Sequence, residues 1–177
     1  MAHSQTDVWK GVEVHPGAEL ERISVTKTQF DAIKRAISAD GTGSWPCDPS
    51  GEDWTHALIF EDLPVSSSQK ALLVQTGPGC ARGGQGANGA MWVIRFDGDK
   101  PMLLATPKRE FNGWVYSIQP SVSHGLRDLV LGWHMSAMET GLSYFQFDGT
   151  LYRRTGTATL SANANGNATI IPEQKGH

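Results

Sequence analysis

The stretch RDLVLGWHMSAMETGLSYFQFDGTLYRR, residues 127–154, decides the fold of this chain. Three short runs within it combine β-branched, aromatic and aliphatic residues with a two-residue alternation, which is the pattern of strands. Between the last two runs lies Asp148-Gly149, a pair that tolerates the positive φ of a tight hairpin turn. The pattern predicts strands at 127–132, 142–147 and 150–154.

The residues upstream repeat this plan. MWVIRFDGDKPMLL, residues 91–104, aligns with LSYFQFDGTLYRR, residues 142–154, on a shared Phe-Asp-Gly. ALLVQTG and HALIFED likewise correspond to DLVLGWH and WVYSIQP. A repeat of about 50 residues with four strands is typical of a propeller blade. Further strands are predicted at 55–61, 70–76, 91–96, 101–106 and 114–119, with one more at 167–171.

We therefore expect a mainly β fold with one N-terminal amphipathic helix. Two blades are too few to close a propeller, so we expect two four-stranded antiparallel, blade-like sheets packed together, with the helix covering a sheet face or edge. The helix is predicted within SVTKTQFDAIKRAISADG, residues 24–41, where Thr26 or Thr28 can cap the start and Gly41 ends it. Its apolar face is formed by Phe30, Ile33, Ala36 and Ile37.

The length of 177 residues suits one well-cored domain. Alternation in VWKGVEVH, residues 8–15, predicts an early short strand ahead of the helix. The expected regions are an N-terminal strand and helix region at 1–54, a first four-strand unit at 55–106, a second at 114–155 and a tail at 156–177.

Composition and charge argue against several classes of protein. With 39% hydrophobic and 19% charged residues, the chain is expected to fold as a globular protein. A net charge of −3 gives no basic surface for nucleic-acid phosphates. No apolar run approaches the roughly 20 residues that cross a bilayer, and MAHSQTDVW does not have the pattern of a signal peptide. We expect no nucleic-acid partner and no membrane span.

The two cysteines indicate the compartment. Cys47 and Cys80 both lie in Gly- and Pro-containing segments, SWPCDPSG and GPGCARGG, where exposed free thiols would be a liability. We therefore predict a disulfide between them, which would stabilise the chain by roughly 3–4 kcal/mol in the chain-entropy model. A disulfide favours a periplasmic or secreted protein, while two unrelated free thiols remain the alternative.

The sequence offers no recognisable catalytic centre, cofactor motif or metal motif. Gly84, Gly86 and Gly89 spell a G-x-G-x-x-G inside residues 77–90, but a predicted strand follows where a dinucleotide site needs a helix. The histidines lack zinc-ligand spacing, although His124 and His134 could converge at one end of the strands. We expect no enzyme activity, no metal and no cofactor.

The strongest candidate for a site is the connection GWHMSAMETG, residues 132–141, predicted as a loop. Adaptable methionines and an aromatic anchor are common on recognition surfaces, so we predict that this loop binds a partner. A packed structural loop and a hydrolase that uses His134 with Ser136 are the alternatives. The predicted binding residues are Trp133, His134, Met135, Ser136, Met138 and Glu139.

The region 55–155 resembles small exported bacterial proteins whose strands end in DLVLG and return through YxFDGxxY, and more loosely the FG-GAP blades of propeller proteins. The DxDxDG loop of the calcium-binding FG-GAP repeat is missing here. Periplasmic immunity proteins that neutralise the peptidoglycan amidases of type VI secretion are similar in size and plan. That resemblance implies an inhibitor whose loop 132–141 enters the amidase site, with Ser136 near the catalytic Cys–His pair.

Two classes of function follow from these observations. The leading hypothesis is a non-enzymatic periplasmic inhibitor or immunity protein that blocks a cell-wall amidase, in which truncation of Trp133 or Met135 weakens binding. The alternative is a small-molecule or glycan-binding module of an exported protein, with Trp92, Trp114 and Trp133 as stacking platforms.

Overall fold

The protein is mainly β, as predicted. The computed structural model describes residues 7–14, 19–40, 58–77, 89–162 and 167–173. Two compact units are present, Glu19–Asn112 and Met1–Ala18 with Gly113–His177. Within the described residues, no helix is long and apolar enough to cross a membrane. The elements are α1 Lys27–Ala39, β1 Leu58–Leu63, β2 Ala71–Thr76, β3 Gly89–Asp97, β4 Lys100–Ala105, β5 Asn112–Ser123, β6 Leu126–Ser136, β7 Glu139–Phe147, β8 Tyr152–Ala162 and β9 Ala168–Pro172.

The unit formed by residues 19–112 packs α1 against an antiparallel sheet. Its strands pair in chain order from β1 to β4. Ile33 and Ile37 of the helix are buried against the sheet, as the helical spacing predicted. Burial of these aliphatic side chains holds the helix on the sheet, because each contributes roughly 1.5–3 kcal/mol when removed from water. The strand residues of this core are Leu58, Phe60, Val74, Trp92 and Ile94.

Thr26 caps α1 through a capping box. Its hydroxyl accepts a hydrogen bond from the Gln29 backbone N–H (3.2 Å), and the Gln29 side chain accepts one from the Thr26 backbone N–H (3.0 Å). Two backbone donors that the helix leaves without partners are satisfied in this way. The helix ends at Ala39, and the predicted stop at Gly41 lies outside the described residues.

The other unit contains five strands, so the expectation of two four-stranded sheets is not confirmed. β5 to β9 pair antiparallel in chain order, and β9 adds a regular register of five pairs to β8. β8 also continues past Gly156 to Ala162. The sequence had predicted that the second four-strand unit ends before Gly156 and that a tail follows. Gly156 lies within the strand, and Val8 and Trp9 occupy the space beside it that a side chain would fill.

The predicted strand in residues 8–15 is wrong for the residues that the structure describes. Asp7–Trp9 form a 3-10 turn, and residues 10–14 join no strand. The Glu13 backbone bonds instead to the Gln119 carboxamide, which accepts from its N–H (3.2 Å) and donates to its C=O (3.0 Å). One side chain thus takes the place of a neighbouring strand. Val8, Val12 and Val14 still face the core, which explains the apolar alternation.

Both predicted Asp-Gly hairpins are present, but their turns differ. In the β3–β4 hairpin, Asp97 pairs with Lys100 and the turn residues are Gly98 and Asp99. The β7–β8 connection is longer, and the Asp148 carboxylate accepts hydrogen bonds from the backbone N–H groups of the two residues that follow Gly149 (2.8 Å each). The same sequence pair therefore serves two loop lengths.

Candidate functional site

Residues 132–141 form a β-hairpin, so the prediction of a loop here is wrong. β6 continues to Ser136 and β7 begins at Glu139, which leaves only Ala137 and Met138 in the turn. Backbone pairing between the two strands continues almost to the tip, although the side chains there lack the apolar alternation of a buried strand. The cross-strand pairs are Trp133–Gly141, His134–Thr140 and Ser136–Glu139.

A β-bulge explains why the alternation fails. The register shifts between His134 and Ser136, so Met135 is an extra residue opposite an uninterrupted partner strand. A bulge bends the strand and increases its twist, and it re-aims the side chains around it. The sequence near the tip therefore has the pattern of a loop although its backbone is a strand.

The hairpin tip exposes two methionines, one at the bulge and one in the turn. Met135 and Met138 are each 49% exposed. The Ser136 hydroxyl accepts a hydrogen bond from the Met138 N–H (3.3 Å) and donates one to the Glu139 carboxylate (3.4 Å). The Met138 carbonyl accepts a hydrogen bond from the Ala162 N–H of β8 (3.0 Å). The apolar side chains thus stand on a backbone fixed from both sides.

Trp133 supports the hairpin from one face. Its indole lies across Gly141, and a Cβ at position 141 would collide with the ring atoms Cε2, Cζ2 and Nε1. The ring covers the backbone that glycine leaves bare, an arrangement known to stabilise glycine in sheets. Since Trp133 is half-buried in this position, it is both a structural prop and part of the accessible surface.

The pairing places two further residues in line with Trp133. Thr159 on β8 lies opposite Gly141, and Ile171 on β9 lies opposite Thr159. Directly opposed residues share one face of a sheet, so the four residues form a row across β6 to β9. Ile171 is 53% exposed. The sequence analysis missed Thr159 and Ile171, because neither β8 beyond Gly156 nor the pairing of β9 could be inferred from the pattern.

The hydrolase alternative finds little support in the geometry. The Ser136 hydroxyl is engaged by Met138 and Glu139 within the turn. His134 pairs across the strands with Thr140, on the far side of the bulge from Ser136. A triad would instead require a histidine that accepts the serine proton.

The two histidines considered for zinc lie far apart. His124 is in the turn before β6, whereas His134 is near its other end, and ten residues of extended chain span roughly 30 Å. Over the described residues, no group of three or more His, Cys, Asp or Glu side chains could hold a metal ion.

The other predicted residues differ in accessibility. Trp92 is only 2% exposed in the core of the 19–112 unit. Trp114 on β5 is half-buried, packs against the core of its own unit, which contains β5 to β9, and lies over Gly132. Of the three tryptophans proposed as glycan platforms, only Trp114 and Trp133 have partly accessible side chains. Cys47 and Cys80 lie outside the described residues, so their pairing stays a prediction.

A buried polar cluster, which we call the Asp128 network, lies on β6 well before the tip. Asp128 is 1% exposed, and its Oδ2 accepts hydrogen bonds from Ser121 Oγ (2.8 Å), Tyr144 OH (3.0 Å) and Gln146 Nε2 (3.3 Å). Its Oδ1 is buried with no hydrogen-bond partner among the described residues. The sequence analysis missed Asp128. An acidic residue at the start of the apolar strand segment DLVLG could have indicated a buried polar group.

The tyrosines give a first testable prediction. Burial raises the pKa of Tyr144 to about 12, with the nearby charge of Asp128 adding to the effect, and it also raises the pKa of Tyr152 and of Tyr116. These are the three tyrosines of the chain. Folding favours the neutral phenol in each, so this stability is fully present below about pH 10 and is lost as the pH rises through the folded pKa values.

We therefore expect little tyrosinate absorbance at about pH 10, where an unfolded chain is half-ionised. Ionisation should appear only at higher pH, together with loss of the circular-dichroism signal. Urea-unfolded protein, titrated in parallel, provides the reference curve. Ionisation of all three tyrosines at the unfolded midpoint, with the fold intact, would contradict the burial described above.

Comparison of the chain with protein-family models, with curated proteins and with solved structures finds no match.

Proposed function

We propose that this chain is a non-enzymatic binding protein that engages a protein partner with the β6–β7 hairpin tip. The observation that carries the proposal is the pair of half-exposed methionines at the tip of the hairpin, Met135 at the bulge of β6 and Met138 in the turn. Flexible thioether side chains adapt to a partner, while a fixed backbone limits the entropy lost on binding. Trp133 and Ile171 add apolar side chains in one row across β6 to β9 of the same sheet.

We propose further that the partner is a cell-wall hydrolase of the amidase class and that the protein acts in the periplasm or outside the cell. The resemblance of residues 55–155 to amidase immunity proteins supports the partner class, and the disulfide predicted between Cys47 and Cys80 would favour that compartment. A two-residue hairpin is narrow enough to enter an enzyme cleft. In this proposal Ser136, at the tip, lies close to the catalytic Cys–His pair.

The test is inhibition of purified peptidoglycan amidases, followed as the clearing of a cell-wall suspension. We expect stoichiometric inhibition of at least one amidase by the wild-type protein. Substitution of both Met135 and Met138 by Ser should weaken that inhibition at least tenfold, or about 1.4 kcal/mol, because the apolar anchors are lost without a change in the turn backbone.

Met102→Ser is the matched control. Met102 is 38% exposed but lies on β4, in the other unit, so its loss should leave inhibition unchanged. Equal inhibition by the wild type and the double variant would remove the hairpin tip from the interface. If no amidase in the panel is inhibited, the proposed partner class is wrong.

Glycan binding is the second candidate function. It is favoured by the Trp133 indole, which is half-buried beside Gly141, because a partly accessible aromatic ring can stack on a sugar. Titration with peptidoglycan fragments, followed by tryptophan fluorescence, tests glycan binding. Saturable quenching that is lost in Trp133→Phe but retained in Trp114→Phe would support a glycan site beside Trp133. No saturable quenching in the wild-type protein would exclude it.

A further inference from the structure

β9 is the last strand of its sheet, and its outer edge is open. Its inner edge pairs with β8, and among the described residues no strand pairs with the other edge. An open edge presents backbone N–H and C=O groups to which another strand can bond, so proteins commonly protect it with charged side chains or a covering segment. The edge strand β1 has such a cover, where the Ile23 N–H donates to the Phe60 C=O (3.0 Å). β9, with the sequence ATIIP, has no charged residue.

The backbone groups of β9 alternate between β8 and the open edge. The Glu173 N–H donates to the C=O of Thr157, the residue opposite it on β8 (3.0 Å). Successive residues of a strand direct their N–H and C=O groups to opposite sides. Residues 169, 171 and 173 therefore bond to β8, and residues 168, 170 and 172 point away from it. Since proline has no N–H, the donors of the open edge are those of Ala168 and Ile170, whereas Pro172 supplies only an acceptor.

We propose that β9 pairs antiparallel with β9 of a second copy of the chain, with the two-fold axis at Ile170. Ile170 then lies opposite Ile170 of the second copy, and the two residues exchange their N–H···O bonds across the axis. Ala168 lies opposite Pro172 of the second copy, whose C=O accepts the Ala168 N–H. Every donor that the two edges of β9 present thereby finds an acceptor.

The sequence of β9 selects this register. A two-fold axis must pass through a residue whose backbone groups point outward, because only such residues face the second copy. An axis at Pro172 would place two prolines opposite each other and lose both central hydrogen bonds. An axis at Ala168 would place Ile170 opposite residue 166, which is not part of β9. The axis at Ile170 uses the whole strand.

The side chains match in the same register. Ile170 is half-buried against the core of its own unit, and Ile170 of the second copy extends that core across the axis. On the other face, Ile171 is 53% exposed and lies opposite Thr169 of the second copy. Glu173 lies opposite Asn167 of the second copy, so no like charges face each other. An interface between two identical chains requires self-complementarity of this kind.

Analytical ultracentrifugation of the full chain, from about 1 μM to about 1 mM, tests the dimer, since small interfaces dissociate in that range. We expect a reversible monomer–dimer equilibrium. Ala168→Pro should weaken dimerisation at least tenfold, because it removes the donor to Pro172 of the second copy but no hydrogen bond to β8. Ala168→Ser is the matched control, because it keeps the N–H and should dimerise as the wild type does.

Disulfide cross-linking tests the register. The Cα atoms of a directly opposed, hydrogen-bonded pair lie about 5.5 Å apart, which a disulfide can bridge. Ile170→Cys should therefore form a covalent dimer on mild oxidation. Ile171→Cys is the matched comparison and should not cross-link, because its two copies lie diagonally across the axis, about 7–8 Å apart. The wild-type chain gives the background from Cys47 and Cys80.

Three outcomes would overturn the proposal. A monomer at every concentration would leave the β9 edge to a strand of another protein. Undiminished dimerisation of Ala168→Pro, with its circular-dichroism spectrum intact, would assign the dimer to another surface. Equal cross-linking of the two cysteine variants would contradict the axis at Ile170. None of these results bears on the hairpin function, because Met135 and Met138 take no part in the β9 contact.

Discussion

Gly113→Ala is expected to lower the free energy of unfolding by about 3–5 kcal/mol, a large part of the roughly 5–15 kcal/mol that stabilises a typical domain. Gly113 has a φ of +107°, and a Cβ at this position would collide with the backbone carbonyl oxygen of Gly132 on β6. Strain in this region of φ costs about 1–3 kcal/mol for a residue with a side chain. Relief of the collision requires movement of one strand away from the other, since no side-chain rotation can remove it.

Gly125→Ala separates the two causes. Gly125 has a comparable φ of +88°, but nothing lies within 4 Å of the position that its Cβ would take. Only the backbone strain should appear there, at about 1–2 kcal/mol. Urea unfolding of both variants measures the difference. Equal destabilisation would mean that the close approach of β5 and β6 at Gly132 does not matter for stability.

In the unit that contains β5 to β9, three tryptophans lie against glycines of the strands. Trp114 lies over Gly132, Trp133 over Gly141, and Trp9 beside Gly156. Two of these pairs are direct cross-strand neighbours, Trp114–Gly132 and Trp133–Gly141. A glycine in a strand lacks a side chain to bury, and the indole supplies the missing apolar cover. Trp133 therefore couples the candidate binding surface to the stability of the hairpin.

This coupling limits what Trp133 variants can show about binding. Removal of the indole would uncover Gly141 and loosen the hairpin that presents Met135 and Met138. A loss of affinity in Trp133→Ala would then combine a lost contact with a changed backbone. Substitutions at the two methionines avoid this problem, because both side chains lie at the tip and are half exposed.

Sequence patterns predicted the elements well where local and tertiary preferences agree. Thr26 or Thr28 as the cap and the spacing of Ile33 and Ile37 located α1, and each predicted strand of residues 55–171 is present among the described residues. The predictions were wrong where a distant contact overrides the local pattern. Gly156 has the pattern of a strand end, yet Val8 and Trp9, remote in sequence, occupy the space beside it.

The candidate site was only partly predictable for a related reason. Trp133, Met135 and Met138 were identified from residue type alone, but the turn Ala137-Met138 lacks the Asn-Gly or Asp-Gly signal that marks a two-residue hairpin. Their exposure and the bulge depend on register, which a single sequence does not specify at an exposed strand end. Ile171 joins the same row only through two successive strand pairings.

Asp128→Ala is expected to destabilise the protein by about 3 kcal/mol. Its carboxylate is the shared acceptor for Ser121, Tyr144 and Gln146, and hydrogen bonds to a charged group contribute about 1.5–3 kcal/mol each to stability before the cost of burial. Alanine leaves an unfilled space and buried donors without that acceptor. Ser121 and Tyr144 can still bond to each other (3.0 Å), which limits the loss.

Tyr144→Phe is the matched comparison, because it removes one hydroxyl and keeps the ring that packs edge-on against Trp9 at 5.7 Å. We expect a loss of about 1 kcal/mol. If the Asp128 network acts as a unit, the double variant should lose less than the sum of the two single losses, since Asp128→Ala has already removed the acceptor. Additive losses would mean that the hydrogen bond from Tyr144 to Asp128 contributes nothing to stability. Asp128 Oδ1 is buried and has no hydrogen-bond partner among the described residues. The carboxylate therefore stabilises the fold only if its three hydrogen bonds through Oδ2 exceed the free-energy cost of burying it. The size of the loss in Asp128→Ala measures that balance.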